Sequence, residues 1–247
     1  MNSTKLYYEH WLGKLDCLSL EGVHFILSDA RDVVQDGYSK AFDLYVWIDE
    51  KRIIVSYGKK ATKNLEELKR KISVGQNVND VLNTLSTTFN TNIGHHIKYF
   101  FDRAPQILAV NHTKILTVDD YLDYETFFKT LNPNTKDTSW LREYFDEMVE
   151  ENLCVAVYEN SIIACCTDAP MMPYLPHLVQ EIGVNTLPEY QKLGYAKMAS
   201  AVVVENILMN NSKEPLWSTT AANISSQKLA EKVGFKKFAD VLTLSLD

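Results

Sequence analysis

The sequence contains no apolar run approaching the roughly eighteen residues needed to cross a bilayer, so no membrane partner is expected. Its first ten residues, from Met1 to His10, lack the basic start and apolar stretch of a secretory signal, and a cytoplasmic location is the expectation. Cysteine is scarce. Cys17, Cys154, Cys165 and Cys166 have no Cys-x-x-Cys spacing, and they read as small apolar core residues rather than metal ligands or disulfide partners. The histidines, including the pair His95-His96, show no ligand spacing either, and no metal is expected. Gly-x-Gly-x-x-Gly is absent, which removes the usual dinucleotide cradle, and Gly-x-Ser-x-Gly is absent, which removes the hydrolase nucleophile elbow. Basic charge is also short. Residues 1–110 hold 14 Lys and Arg against 13 Asp and Glu, whereas residues 111–247 hold 11 against 19. Without a basic face no nucleic-acid partner is expected. The acidic half can attract a cationic amine, or its acidity can simply solubilise helices such as the stretch 143–151.

Apolar material is ample, with 13 Tyr, 10 Phe and 4 Trp in 247 residues, enough for one large or two small domains. In the first half, residues 42–48 and 52–57 read as strands around an Asp49-Glu50-Lys51 turn. Leu65, Leu68 and Ile72, then Val78, Val81, Leu82 and Leu85, read as helical faces broken at Gly75, and residues 96–101 read as a strand. A boundary is expected near residues 104–112. The second half reads as strand 112–117, helix 119–131, helix 137–151, and a hairpin of 153–158 with 161–166 turning at Glu159-Asn160. A loop with prolines at 170, 173 and 176 follows, too stiff and donor-poor to join a sheet.

The most informative stretch begins at Glu181. A short β-type segment, Glu181 to Leu187, closes at Pro188, and a long apolar-periodic helix follows from near Gln191. The amides of residues 192–197 then lack intrahelical partners at the positive end of the helix dipole, which makes an anion site. Gly194 removes a Cβ where a phosphate would come close, and Ala196 keeps the next approach shallow. Downstream, residues 215–220 read as a strand, Asn223 as a turn residue, and Ser225 to Val233 as a helix stopped by Gly234. Phe235 and the alternating Phe238, Val241, Leu242 and Leu244 read as one closing strand or a pair.

These residues resemble the GNAT superfamily of acyl-CoA N-acyltransferases over roughly residues 111–247. Three segments carry the resemblance. Val184-x-Thr186-x-Pro188-Glu189-Tyr190-Gln191-x-x-Gly194-x-Ala196 is similar to the family's strand-and-phosphate-loop signature, with Gln where Arg is commoner. Asn223-x-x-Ser226-x-x-Leu229 through Gly234-Phe235 is similar to its Asn-to-Gly-Phe segment, and Ile115 through Tyr121 to its opening strand and helix. The fold implied is α+β, a mixed central sheet flanked by helices. It would comprise a GNAT domain at 111–247 preceded by a smaller α/β domain at 1–110, which tandem arrangements in the superfamily could make a degenerate relative.

The resemblance implies transfer of an acetyl group from acetyl-CoA, as co-substrate, to a primary amine on a small molecule or peptide. A catalytically silent coenzyme A-binding or interaction module is the alternative, and an oligomer is compatible with either. The pantetheine arm would lie along the backbone of Val184 and Thr186, with the pyrophosphate on Gln191, Lys192, Leu193, Gly194, Tyr195, Ala196 and Lys197. Asn223 would touch the cofactor arm, or it caps a helix. Glu181 matches the position of a general base, and a Val184 N–H is the expected oxyanion donor. The family's frequent Tyr proton donor is replaced by Ala230, leaving Ser226 or its neighbour Ser225 to supply the proton, or the thiolate to leave unassisted. Met172, Tyr174 and His177 are the candidate acceptor contacts, or that loop caps the core.

Overall fold

Turn chemistry sets the first strands. In the computed structural model, which describes residues 2–102, 112–209 and 212–246, helix α1 (Asn2–Leu12) precedes strands β1 (Gly22–Leu27), β2 (Leu44–Ile48) and β3 (Arg52–Tyr57). Asp49 organises the β2–β3 turn. Its Oδ1 accepts the Lys51 N–H at 2.8 Å, and its Oδ2 accepts the indole N–H of buried Trp47 at 2.8 Å. Helices α2 (Leu65–Lys71) and α3 (Val78–Phe89) follow, and α3 starts with a reciprocal cap between Asn77 and Asp80. Strand β4 (Gly94–Phe101) ends this half.

The second half runs β5 (Thr113–Ile115), α4 (Tyr121–Leu131), α5 (Leu141–Glu150), β6 (Val155–Glu159) and β7 (Ile162–Asp168). It continues with β8 (Val179–Glu181), β9 (Gly183–Thr186), α6 (Tyr195–Met209), β10 (Glu214–Thr220), α7 (Ile224–Val233) and β11 (Phe235–Leu244). The β6–β7 turn falls on Asn160 and Ser161, with φ of 48° and 66°, one residue later than expected. Two left-handed residues match the twist of a two-residue hairpin. Helix α5 starts at Leu141 rather than 137, because Asp137 accepts the Ser139 N–H at 2.9 Å and holds a turn there. The closing segment is a single strand with an irregularity between Lys237 and Ala239.

The architecture is α+β, as expected, with two sheets. Seven strands run in the order β1-β3-β2-β11-β4-β10-β8, and four in the order β5-β6-β7-β9. The larger sheet crosses both halves. Strand β4, from residues 1–110, lies hydrogen-bonded between β10 and β11, and β11 also pairs with β2. The boundary expected near residues 104–112 falls outside the described residues apart from His112.

Three apolar clusters fill the layers. Leu68, Ile72, Val81 and Leu85 of the first half pack on Leu44, Val46, Val55 and Leu242. A larger cluster joins Phe127, Leu141, Phe145 and Met148 to Val155, Val203, Ile207, Trp217 and Phe235. Each fully buried side chain such as Phe145 contributes about 2–3 kcal/mol. On the remaining face α1 lays Tyr7, Tyr8, Trp11 and Leu12 over Tyr45, Trp47, Ile54, Leu216 and Val241. Glu214 fixes α1 there, since its Oε2 accepts the Thr4 N–H and hydroxyl at 2.9 and 2.7 Å. A carboxylate at a helix N-terminus is favourable by charge as well.

Candidate functional site

The two sheets part company along one stretch of chain. Residues 179–181 pair in parallel with β10, and residues 183–186 pair antiparallel with β7. The bond from the Ile182 N–H to the Leu216 carbonyl, 3.1 Å, is the last toward β10, whereas Leu187 donates to Ala164 on the β7 side at 2.9 Å. Alternation along a strand therefore aims the N–H groups of Val184 and Thr186 toward β10, beyond the end of that ladder. This is an opened edge at which an extended amide-bearing chain can add as a strand. The Gln191 side-chain amide approaches the Thr186 carbonyl at 3.4 Å and fixes the far end of the edge.

The phosphate-loop residues continue from that edge. Helix α6 begins at Tyr195, not near Gln191, because Lys192 (φ 66°) and Gly194 (φ 92°) are left-handed and cannot start a right-handed helix. The first intrahelical bond is Met198 to Gly194, 3.1 Å, so the amides of Tyr195, Ala196 and Lys197 have no partner inside the helix. Gln191, Lys192, Leu193 and Gly194 are exposed, and nothing lies within 4 Å of where a Gly194 Cβ would sit. The Tyr195 hydroxyl donates to Glu159, tying the first turn to β6. Free amides, an open approach and the dipole of a 15-residue helix suit a pyrophosphate.

Glu181 sits one residue before the parting point, opposite Leu216 in the register. Leu216 and Val179 belong to the cluster under α1, so Glu181 is on that face and away from α6 and α7. Its surroundings come from the first half of the chain. The carboxylate charge reaches Tyr7, Tyr8, Tyr38 and Tyr45, whose phenols are all pushed up, by burial first and then by Glu181 or a neighbouring phenol; Tyr38 reaches about 12. Lys98 also faces it. Its Nζ donates to Ser218 Oγ at 2.7 Å, and burial lowers its pKa while the Glu181 charge opposes that. Burial, then Lys98 and His95, hold His96 at about 4. Lys98, Ser218 and the tyrosines are absent from the sequence reading. The alternation of His96, Lys98 and Phe100 marks one strand face, but nothing local says which strands flank it.

The remaining candidates separate. Buried Met172 accepts the Glu181 N–H on its sulfur at 3.2 Å, and half-buried Tyr174 stacks at 5.7 Å on His10 and lies edge-on to Trp11 at 5.4 Å. His177 is exposed on the same loop. Asn223 caps α7, its Oδ1 accepting the Ser226 N–H at 3.1 Å. Ser226 Oγ accepts the Trp217 indole N–H at 3.0 Å on the α7 side of the sheet, and Ala230 is buried there. The cysteines are free and buried. No helix among the described residues is long and apolar enough to cross a membrane.

Residues 138–240 match the family described as GNAT acetyltransferase. No curated protein matches the chain. Among solved structures, a GNAT-family acetyltransferase from Colwellia psychrerythraea is 14% identical over 68% of this chain and 63% of its own, with a TM-score of 0.51. This chain therefore spans less than two thirds of that protein's length. A GCN5-related N-acetyltransferase-like protein from Streptococcus suis is 15% identical over 98% of this chain and 99% of its own, with a TM-score of 0.48. The yncA protein from Salmonella typhimurium, solved with its cofactor acetyl-CoA, is 13% identical over 55% of this chain and 93% of its own, at 0.44. At such identities the likeness concerns the fold. The family match takes in the opened edge, α7 and the loop before α6, and it supports the resemblance of the C-terminal half to the GNAT superfamily.

Proposed function

We propose that the chain is an acyl-CoA-dependent N-acetyltransferase that moves an acetyl group from acetyl-CoA to a primary amine by direct attack. The observation that carries this reading is the placement of Glu181. It stands one residue before the parting point of the sheets, on the face opposite α6 and α7, where its charge reaches a group of tyrosines from the first half. Acetyl-CoA supplies the activated thioester. Gln191 and the residues 192–197 hold its pyrophosphate through backbone amides, and Val184 and Thr186 hold its amide arm as an added strand would. The thioester then lies beside β10, and the acceptor enters from the α1 face.

The chain's residues perform the remaining steps. Glu181 takes the proton from the amine, directly or through one water, so that the nitrogen lone pair can form the C–N bond. The Val184 N–H donates to the oxygen that gains charge on the attacked carbonyl. The C–S bond breaks and the sulfur takes a proton. Ser226 is the candidate donor, since its oxygen accepts from Trp217 while its own O–H stays free to donate. Residues 1–110 shape the acceptor pocket. Met172 and Tyr174 belong to its wall, and the GNAT family's range of small-molecule and protein amines covers the acceptor.

The test is thiol release from acetyl-CoA across a panel of amines, with E181Q as the comparison. Amine-dependent release should fall about 10²–10⁴-fold in E181Q, with coenzyme A affinity unchanged by calorimetry. Tight coenzyme A binding with no turnover on any amine favours a silent module of the same fold. Absent coenzyme A binding overturns both.

A further inference from the structure

The layer under α1 holds a charge that no carboxylate among the described residues pairs. Arg31 is 0% exposed, and its Nε, Nη1 and Nη2 find no hydrogen-bond acceptor. Its guanidinium carbon lies 5.3 Å from the ring centroids of both Trp11 and Tyr45. Aromatic faces offset part of the cost of burying a cation, but a guanidinium presents five N–H donors and stays charged at any working pH. Leaving such a group buried and unpaired is among the more destabilising arrangements a fold can carry.

The neighbouring carboxylates do not relieve it. Asp32 accepts the Lys59 N–H at 2.8 Å and faces the Lys59 ammonium at 3.7 Å, and exposed Asp29 lies 4.0 Å from the same ammonium. The Tyr174 hydroxyl donates to Gln35 Oε1 at 2.8 Å and can turn a lone pair to Arg31, but it brings no charge to offset the guanidinium. Other polar atoms on this face share the condition. The Tyr45 hydroxyl and Ser56 Oγ, cross-strand partners on β2 and β3, are buried without partners, and so is the Tyr8 hydroxyl. A buried guanidinium 5.3 Å from the Tyr45 ring, with unpartnered hydroxyls on Tyr45 and its cross-strand neighbour Ser56, has the donors of a receptor for oxyanions.

The position of that receptor gives it a meaning. Met172, which accepts the Glu181 N–H, and Tyr174, edge-on to Trp11, pack in one cluster with Trp11 and Tyr45, the two rings beside Arg31, so both charged groups border the same layer. Tyr38 is 40% exposed and packs on Trp11 at 5.5 Å, so the aromatic packing beside the cation reaches the surface. We propose that Arg31 anchors a carboxylate of the acceptor, so that the acceptor is an amino acid, its amine directed to Glu181 and its carboxylate to Arg31. This rests on the transferase reading for the amine end only. The carboxylate site stands on the buried guanidinium itself. A bidentate pair with Arg31, helped by Tyr45 and Ser56, would satisfy the donors that the free protein leaves unpaired.

The experiment compares paired probes in the full chain. Phenylalanine is set against phenylalaninamide, and 6-aminohexanoate against hexylamine, by thiol release from acetyl-CoA. Wild type should prefer the carboxylated member of a pair at least about tenfold in kcat/KM, with the difference in KM, and R31M should erase that preference. R31K, which keeps the charge but not the fork, should retain part of it. Binding is read separately, by Trp fluorescence and calorimetry with 3-phenylpropanoate, which has no amine to acetylate. It should bind wild type and not R31M. Without ligand, the Tm of R31M should rise, because the substitution removes an uncompensated buried charge, whereas loss of a merely structural arginine would lower it. If R31M fails to fold, R31K and the wild-type pairs still decide. Equal rates within the wild-type pairs together with no 3-phenylpropanoate binding would overturn the proposal. Carboxylate binding that depends on Arg31, with no turnover of any amine, keeps the anchor and sinks the transferase reading instead.

Discussion

At the scale of single residues, the α1 face of the sheet carries several partly buried ionisable groups. His96 and Lys98 on β4 and Glu181 on β8 occupy one face of the sheet with β10 between them, and His96 is held near 4 by burial, by Lys98 and by His95. The consequence for stability has a definite sign. An unfolded histidine takes up a proton near pH 6.5, while folded His96 resists until about 4, so the unfolded state binds more protons between those values. Stability is therefore complete above pH 6.5 and falls as the pH drops through 4, by on the order of 1–3 kcal/mol for this group. Urea denaturation between pH 7 and 4 should show that slope, and H96Q should flatten it. A slope unchanged in H96Q would assign the acid sensitivity elsewhere. The sequence shows His96 and Lys98 on one side of a strand. It cannot show that the facing groups are Ser218 and, from 83 positions downstream of Lys98, Glu181.

At the scale of elements, the phosphate loop shows how local rules and tertiary demands divide. The apolar period of α6 and the Gly234 stop of α7 are legible because helix repeats and left-handed stops need no distant partner. The start of α6 is less so. Lys192 is left-handed without being glycine, which only the structure reveals, and it delays the helix by four residues. Gly194, at φ 92°, is the residue the loop cannot easily exchange. G194A meets no neighbouring atom, so its effect is conformational, about 1–2 kcal/mol of backbone strain. We expect coenzyme A affinity to fall about 5–30-fold by calorimetry, with a small change in Tm because the loop is exposed. A large loss of Tm with affinity intact would show that Gly194 serves folding and not the ligand. Helix α1, like strand β1, is an element the sequence reading missed. Its buried residues include Tyr7, Tyr8 and Trp11 but also Thr4 and Glu9, so no clean apolar stripe marks it.

At the scale of the molecule, the decisive strand is β4. It belongs by sequence to residues 1–110, yet it fills the place between β10 and β11, pairing Leu216 with Phe100 on one side and Phe235 with Phe101 on the other. Residues 111–247 expressed alone would expose both facing edges and the apolar surfaces beside them. That fragment should be insoluble or self-associated by size-exclusion chromatography, while the full chain remains dispersed. A soluble, monomeric fragment that binds coenzyme A would show that the second half closes its own sheet. The same pairing explains the recess, since α1, Tyr38 and Tyr45 reach Glu181 only because the halves share seven strands.

The sequence by itself determined the α+β class, most helices and strands of the second half, and the exposed turn with open amides before α6. These depend on spacing, caps and turns that act over a few residues. The tertiary structure alone decided which strands adjoin, and with them that Glu181 faces Lys98 and a wall of tyrosines and that Arg31 is buried beside the same tyrosines without a partner. The interactions that bring Glu181 to Lys98 and to the tyrosines join residues 83 or more positions apart. Strand pairing at that range is fixed by the summed packing of two halves, which no local pattern encodes.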